Sequence, residues 1–323
     1  MRAGFVHLVS EVGMADLTAS SFAFACPVCR KPLEGVAPDK WRCSADGTHY
    51  SCEEGIWRFL ISERGAYFQQ FMQEYETVRR GEGRGSHDQA YYRALPFDDL
   101  TGRYADQWAI RARSFQTLVN QVVAPIEAER SQPLKILDLG SGNGWLSYRL
   151  SQRGHHVAAV DLLTNPTDGL GAYIYYDLAF VPIQAEFDRL PLAQDEVDLA
   201  IFNASFHYST DYETTLREAL RVLRGVGRLV ILDTPVYRDP ASGQQMVRER
   251  EARFEREYGF PSNAIPSQNY LTFEQLEHLE TTLRLCWQRI VPFYGWRWSL
   301  KPYWARLRGS REPAQFMLIV GCP

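Results

Sequence analysis

The chain has 323 residues, 45% of them apolar, and a formal net charge of −4. That length exceeds one ordinary compact domain and predicts two units. No stretch approaches the roughly 20 uncharged apolar residues of a membrane-spanning helix, and the slight negative charge excludes a global attraction to nucleic acid or anionic membrane, leaving only a local patch.

The first twenty residues carry a single arginine and no apolar core with a cleavage site, so they read as an extension (1–20) rather than a signal peptide. Met14 offers an alternative start, and the expected location is cytoplasmic. Four of the six cysteines fall within residues 26–52. That clustering points to metal rather than to an oxidised scaffold, whereas Cys286 and Cys322 stand alone and read as packing residues. Cys26-Pro27-Val28-Cys29 is a knuckle that offers two thiolates to one ion, and Cys43 follows after 13 residues. Residues 21–62 therefore form a candidate zinc module. His49 is the favoured fourth ligand, with Cys52 and Asp46 as alternatives; a degenerate module held by packing alone is the competing reading.

Residues 63–130 read as a helical linker or cap. Tyr67, Phe68, Phe71, Met72, Tyr75 and Val78 recur at helical spacing over 63–78, and the glycine-rich run 79–85 then breaks the pattern. A second helix is predicted over 107–128, with Trp108, Phe115, Leu118, Val119 and Val122 as its buried stripe. From Leu134 onward, short apolar runs (135–139, 157–160, 197–202 and 228–232) alternate with helical patterns at 145–153 and 212–224. Such alternation predicts βαβ units and a parallel sheet. Residues 241–258 read as a charge-rich, solvated helix. Thr272 with Gln275 forms a capping box that opens a helix to about 283. Two last strands are expected at 286–292 and 315–321.

The strongest motif is Asp138-Leu139-Gly140-Ser141-Gly142-Asn143-Gly144-Trp145, placed where a strand ends and a helix opens. Glycine permits the tight turn and close backbone approach to a ligand. Asp161 ends the next strand, where a carboxylate can accept from both ribose hydroxyls. Trp145 occupies the place of the third glycine of a dinucleotide fingerprint, and an acid stands two residues before Gly140. The ensemble resembles the D-x-G-x-G motif of class I S-adenosylmethionine-dependent methyltransferases. Over 131–237 the resemblance is firm, and through 323 looser.

The cysteine module separately resembles a small N-terminal zinc ribbon, while the methyltransferase resemblance implies a doubly wound α/β fold with a seven-stranded Rossmann-like sheet and S-adenosylmethionine as cofactor. It places Asp138 near the methionine end of the cofactor and lays Gly140, Ser141, Gly142, Asn143 and Gly144 along it. Glu186, with Asp188 as the alternative, would accept from the adenine amino group beside Phe187. Asn203, His207 and Tyr208 follow the fourth strand, between cofactor and acceptor, and His207 and Tyr208 are the catalytic candidates. Gly225-Val226-Gly227 replaces the family's usual Pro-Gly-Gly turn. Tyr91, Tyr92, Arg111 and Arg113 precede the sheet, where one arginine could pair with the methionine carboxylate. Residues 238–270 are the expected substrate lid of a methyltransferase domain spanning 131–323.

The ribbon joined to this fold resembles, in layout, 23S ribosomal RNA guanine methyltransferases, although Cys43-Ser44-Ala45-Asp46-Gly47 departs from the C-x-x-C-G knuckle. Residues 295–311 interleave Trp296, Trp298, Tyr303 and Trp304 with Arg297, Lys301, Arg306, Arg308 and Arg311, without an acid. Such a segment suits nucleic acid or a membrane interface, or else forms a hairpin with solvated arginines. The first expectation is methyl transfer to a small-molecule or lipid-like acceptor, the second an RNA base acceptor, the third a non-catalytic scaffold.

Overall fold

The computed structural model describes residues 21–322; the extension at 1–20 lies outside them. Four short strands come first: β1 (Leu33–Ala37), β2 (Lys40–Cys43), β3 (His49–Glu53) and β4 (Ile56–Arg58). They are followed by α1 (Ser62–Gly81), α2 (Gln89–Ala94) and α3 (Ala105–Leu118), the last running through a π turn at Val119–Val123 into Ala124–Glu129. The alternating part contains β5 (Lys135–Leu139), α4 (Trp145–Ser151), β6 (His156–Asp161), β7 (Val181–Gln184), β8 (Val197–Asn203), α5 (Tyr212–Val222) and β9 (Leu223–Leu232). After it come β10 (Val236–Tyr237), α6 (Pro240–Tyr258), β11 (Leu271–Thr272), α7 (Phe273–Leu283), β12 (Cys286–Ile290), α8 (Trp296–Ser299), α9 (Lys301–Leu307) and β13 (Leu318–Cys322).

The main sheet has eleven strands in the order β1-β2-β3-β4-β7-β6-β5-β8-β9-β13-β12. Strands β7, β6, β5, β8 and β9 are parallel, and β13 inserts antiparallel between β9 and β12. These seven form the expected Rossmann-like sheet. The parallel strands are buried along nearly their whole length, because helices cover both faces. Strand order reverses between β5 and β8, so the loop after β5 opens into the crevice where open α/β sheets bind ligands.

The seven-stranded expectation is corrected at one edge. The N-terminal module is continuous with the sheet, since β4 pairs in parallel with β7, Trp57 opposite Ile183. Phe24, Trp41, Trp57 and Phe59 stack with centroids 5.3 to 6.3 Å apart and share one core with Leu137, Val160 and Ile183. Arg30 also reaches Glu218 on α5 at 3.0 Å.

Two boundaries differ for identifiable reasons. Helix α5 stops at Val222, because β9 begins at Leu223 without an intervening turn. Segment 295–311 holds two short helices rather than a hairpin. The capping box on α7 is present as expected, with Thr272 accepting from the Gln275 backbone N–H at 3.1 Å.

Candidate functional site

A cleft opens over the carboxyl ends of the central strands. Its floor is the glycine loop, and its roof is α1, which contributes Phe68, Phe71 and Tyr75. Gly140 has φ +73°, and a Cβ there would sit 2.3 Å from the Ser205 Cβ, so the loop can close on the β8 turn only with glycine. Gly142, at φ +54°, is different: a Cβ would meet nothing closer than the Asp168 carbonyl oxygen at 3.7 Å. Its position faces open cleft, which is the form of a cradle for a ligand.

Asp161 ties this loop to β6. Its Oδ2 accepts from the Gly142 N–H and its Oδ1 from the Leu163 N–H, both at 2.8 Å. Burial raises its carboxyl to about 6, against the opposing effect of those backbone donors. Asp161 also lines the cleft. Asp138 lies beneath the loop rather than in its lining. Its Oδ2 accepts from the Ser147 hydroxyl at 2.7 Å, and its Oδ1 is buried without a partner among the described residues. Burial pushes this carboxyl up to about 7.

The remaining sequence candidates divide into two groups. Gly140, Gly142, Asp161, Glu186, Phe187 and Tyr208 meet at the cleft. Asn143 turns away from it, its Oδ1 accepting from the Trp145 N–H at 3.3 Å and its carbonyl from the Tyr176 hydroxyl at 3.0 Å. Ser141 and Asn203 each bury a side-chain oxygen that has no partner among the described residues. Gly144 backs onto the Phe180 ring. Asp188 also lines the cleft, and it accepts from the Thr215 hydroxyl at 2.5 Å.

His207 sits behind Tyr208, with ring centroids 4.3 Å apart. Burial, aided by the positive charges of Arg250 and Arg111, holds its imidazole down to about 3, so it is neutral and weakly basic. Tyr208 packs against Phe71 and Tyr75 at 6.0 and 5.8 Å.

Several cleft features escaped the sequence reading. Glu186 is already engaged by Arg64 of α1, whose Nε and Nη2 reach both carboxylate oxygens at 2.6 to 2.9 Å. Arg79, lower on the same helix, forks onto Asp168. The aromatic stripe of α1 was legible as a buried face. That it covers the cleft was not, because periodicity reports a face and not its destination.

The cysteine module gathers Cys26, Cys29, Cys43 and Asp46, with ligand atoms within 4.8 Å of one another. Here the structure corrects the fourth position. His49 is exposed on β3 across from Arg42, and the next residue, Tyr50, points inward to Cys26 Sγ at 3.3 Å. Cys52 is half-buried on the far part of the same strand, and burial raises its thiol to about 11. The turn after Cys43 instead swings Asp46 over the thiols, 3.5 Å from Cys26 Sγ. The Thr48 N–H bonds Asp46 and holds its carboxyl down to about 2. Three soft donors and one carboxylate fit a four-coordinate zinc ion.

A methyltransferase-domain family model matches residues 137–231, which hold the glycine loop, Asp161, the Glu186 turn and the β8 turn. The chain carries a methyltransferase domain. Over 95 residues that domain is 36% identical to an uncharacterized methyltransferase of Mycobacterium bovis, covering 29% of this chain and 37% of the relative. It is 32% identical over 100 residues to the malonyl-[acyl-carrier protein] O-methyltransferase of Hahella chejuensis, covering 30% and 36%. The matches thus span well under half of these relatives' lengths. Among solved structures, geranyl diphosphate C-methyltransferase from Streptomyces coelicolor superimposes with a TM-score of 0.45 at 17% identity, over 71% of this chain and 87% of that one.

Proposed function

We propose that the protein transfers a methyl group from S-adenosylmethionine to a small-molecule or lipid-like acceptor. The observation that carries this reading is the open, left-handed Gly142 beside Asp161 at the sheet's switch point. The bound cofactor supplies an electrophilic methyl group on a sulfonium. In this reading Asp161 holds the ribose hydroxyls, Phe187 packs on adenine beside Glu186 and Asp188, and the unpartnered Ser141 oxygen faces the methionine end. Tyr208, Phe71 and Tyr75 wall the acceptor side, exclude water and align the nucleophile. In this reading Tyr208 contacts the acceptor directly, His207 backs it from behind as the second catalytic candidate, and Asn203 ends the strand behind them.

A roofed, aromatic cleft favours a compact acceptor over a structured RNA, and the O- and C-methyltransferases among the similar proteins support the same choice. No helix among the described residues is long and apolar enough to cross a membrane. We assign the cysteine module a structural zinc, held by Cys26, Cys29, Cys43 and Asp46. The test is incubation with methyl-labelled cofactor and a cell extract, followed by separation of RNA, protein, lipid and small metabolites. Label in the lipid or metabolite fraction is expected. Label in RNA would transfer the reading to an RNA base methyltransferase with the ribbon as its recognition element.

A further inference from the structure

Beyond Tyr208 the cleft continues into a second recess, lined by Tyr75, Tyr208, Arg250, Ile265 and Asn269. Two arginines on its wall are already matched: Arg79 forks onto Asp168, and Arg84 bonds Glu82 and Gln107. Arg250 is not matched. Its Nη1 donates to the Asn269 side chain at 2.8 Å, while its Nε is buried with no acceptor among the described residues. Arg111 of α3 makes no hydrogen bond or ion pair among the described residues; it stacks on Trp108 at 4.8 Å, and burial lowers its pKa. The buried His207 Nδ1 also lacks a partner among the described residues. The nearby carboxylate, Asp233, spends one oxygen on the Ser114 hydroxyl at 2.6 Å and leaves the other unbonded. A guanidinium whose Nε–H is buried without an acceptor is unfavourable unless an anion completes it.

We infer that this recess binds an anionic group of the acceptor, a carboxylate or a phosphate, on Arg250. The inference rests on the methyltransferase reading and specifies its substrate class. The full chain would be titrated calorimetrically with malonate, inorganic phosphate and pyrophosphate, and separately with S-adenosylhomocysteine. Saturable binding of one of these anions is expected, weakened about tenfold or more in both Arg250→Gln and Arg250→Ala. S-adenosylhomocysteine affinity should stay at the parent value, which also shows that the variants are folded. A preference for malonate identifies a carboxylate acceptor, and a preference for the phosphates a phosphorylated one. Anion binding absent, or unchanged in both variants, overturns the inference while S-adenosylhomocysteine still binds. Loss of S-adenosylhomocysteine binding by the parent would instead refute the methyltransferase reading.

A separate observation carries a second proposal. Seven of the fifteen exposed large apolar or aromatic side chains among the described residues fall between 291 and 307. Helices α8 and α9 run almost continuously, since Leu300 N–H bonds the Trp296 carbonyl and Trp304 N–H the Leu300 carbonyl. Trp296, Leu300, Tyr303, Trp304 and Leu307 therefore fall on one face, 47 to 78% exposed. Exposed Arg297, Lys301 and Arg308 flank it, with no acid from 295 to 311. An apolar stripe with cations along one side and no acid in the segment matches an anionic bilayer surface.

We propose that this helix pair docks on anionic membrane. Full-length protein should co-sediment with phosphatidylglycerol-containing vesicles about tenfold more than with pure phosphatidylcholine. The Trp296→Ala/Trp304→Ala double variant should lose that binding at an unchanged melting temperature, as should Arg297→Glu/Lys301→Glu. Absence of vesicle binding, equal binding by the variants, or binding to single-stranded RNA in place of vesicles would overturn the proposal.

Discussion

Arg64 and Glu186 form a bidentate ion pair that pins the start of α1 to the turn after β7, with Nη2 and Oε2 2.6 Å apart. Glu186 is almost fully buried, whereas Arg64 keeps about a fifth of its side chain in solvent. The arginine therefore occupies the carboxylate assigned to the adenine amino group.

Removing the arginine leaves a buried carboxylate with only Arg189, at 3.6 Å, to compensate it. Arg64→Ala should lower the stability of the cofactor-free protein by about 2 kcal/mol in urea unfolding. The same variant should bind S-adenosylhomocysteine at least as tightly as the parent, because adenine no longer competes with the guanidinium. Weaker binding would mean that Arg64 serves as a latch over bound cofactor.

The glycine loop allows a cleaner separation of folding from binding. Gly142→Ala introduces a Cβ with no clash, at the expense of a left-handed backbone for a non-glycine residue, about 1 kcal/mol. Gly140→Ala drives its Cβ into Ser205 and should destabilise the fold by about 2 kcal/mol or more. Calorimetry should find Gly142→Ala folded but at least tenfold weaker for S-adenosylhomocysteine. Parental affinity in that variant would refute the cradle.

The sheet was legible because its signals are local. Ile136-Leu137 and Leu199-Ala200 are continuous apolar runs, and the glycine loop announces where β5 ends. The short β7 was less so, since Val181–Gln184 offers four residues and a proline. The join between β4 and β7 was invisible, because pairing partners 126 residues apart leave no trace in spacing. That Asp46 joins the three thiols was not favoured from sequence for a related reason. Asp46 reaches Cys26 through a turn geometry, while His49 was favoured on its chemistry. The Arg64–Glu186 pair joins two charges that each look solvated when read along the chain.

Asp138 gives a pH signature. Its carboxyl is raised by burial from 3.8 to about 7, so between those values the native state holds a proton that the unfolded chain releases. Stability from this group is full below about pH 4 and is lost as pH rises through 7. Asp138→Asn keeps an acceptor for the Ser147 hydroxyl and carries no charge. The stability of Asp138→Asn relative to the parent should therefore climb by a few kcal/mol from pH 4 to 7 and level off above it. Comparing the variant with the parent at each pH cancels the opposite slope of His207, which gains stability as pH rises from about 3 toward 6.5. A flat difference across that window would place Asp138 in a hydrated setting.

The metal module is tested by which residues matter. Metal analysis of protein purified without chelator should give one zinc per chain, and Cys26→Ser or Cys43→Ser should abolish it. Asp46 is ionised throughout the usual pH range, so Asp46→Ala removes a charged donor and should weaken zinc retention against a chelator by tenfold or more. His49→Ala should retain zinc like the parent, since His49 stands exposed on β3. Because Cys26 and Cys43 are buried in the core that β4 carries onto β7, zinc loss should also lower the melting temperature of the whole chain. Retention by Asp46→Ala together with loss in His49→Ala would return the fourth position to the histidine.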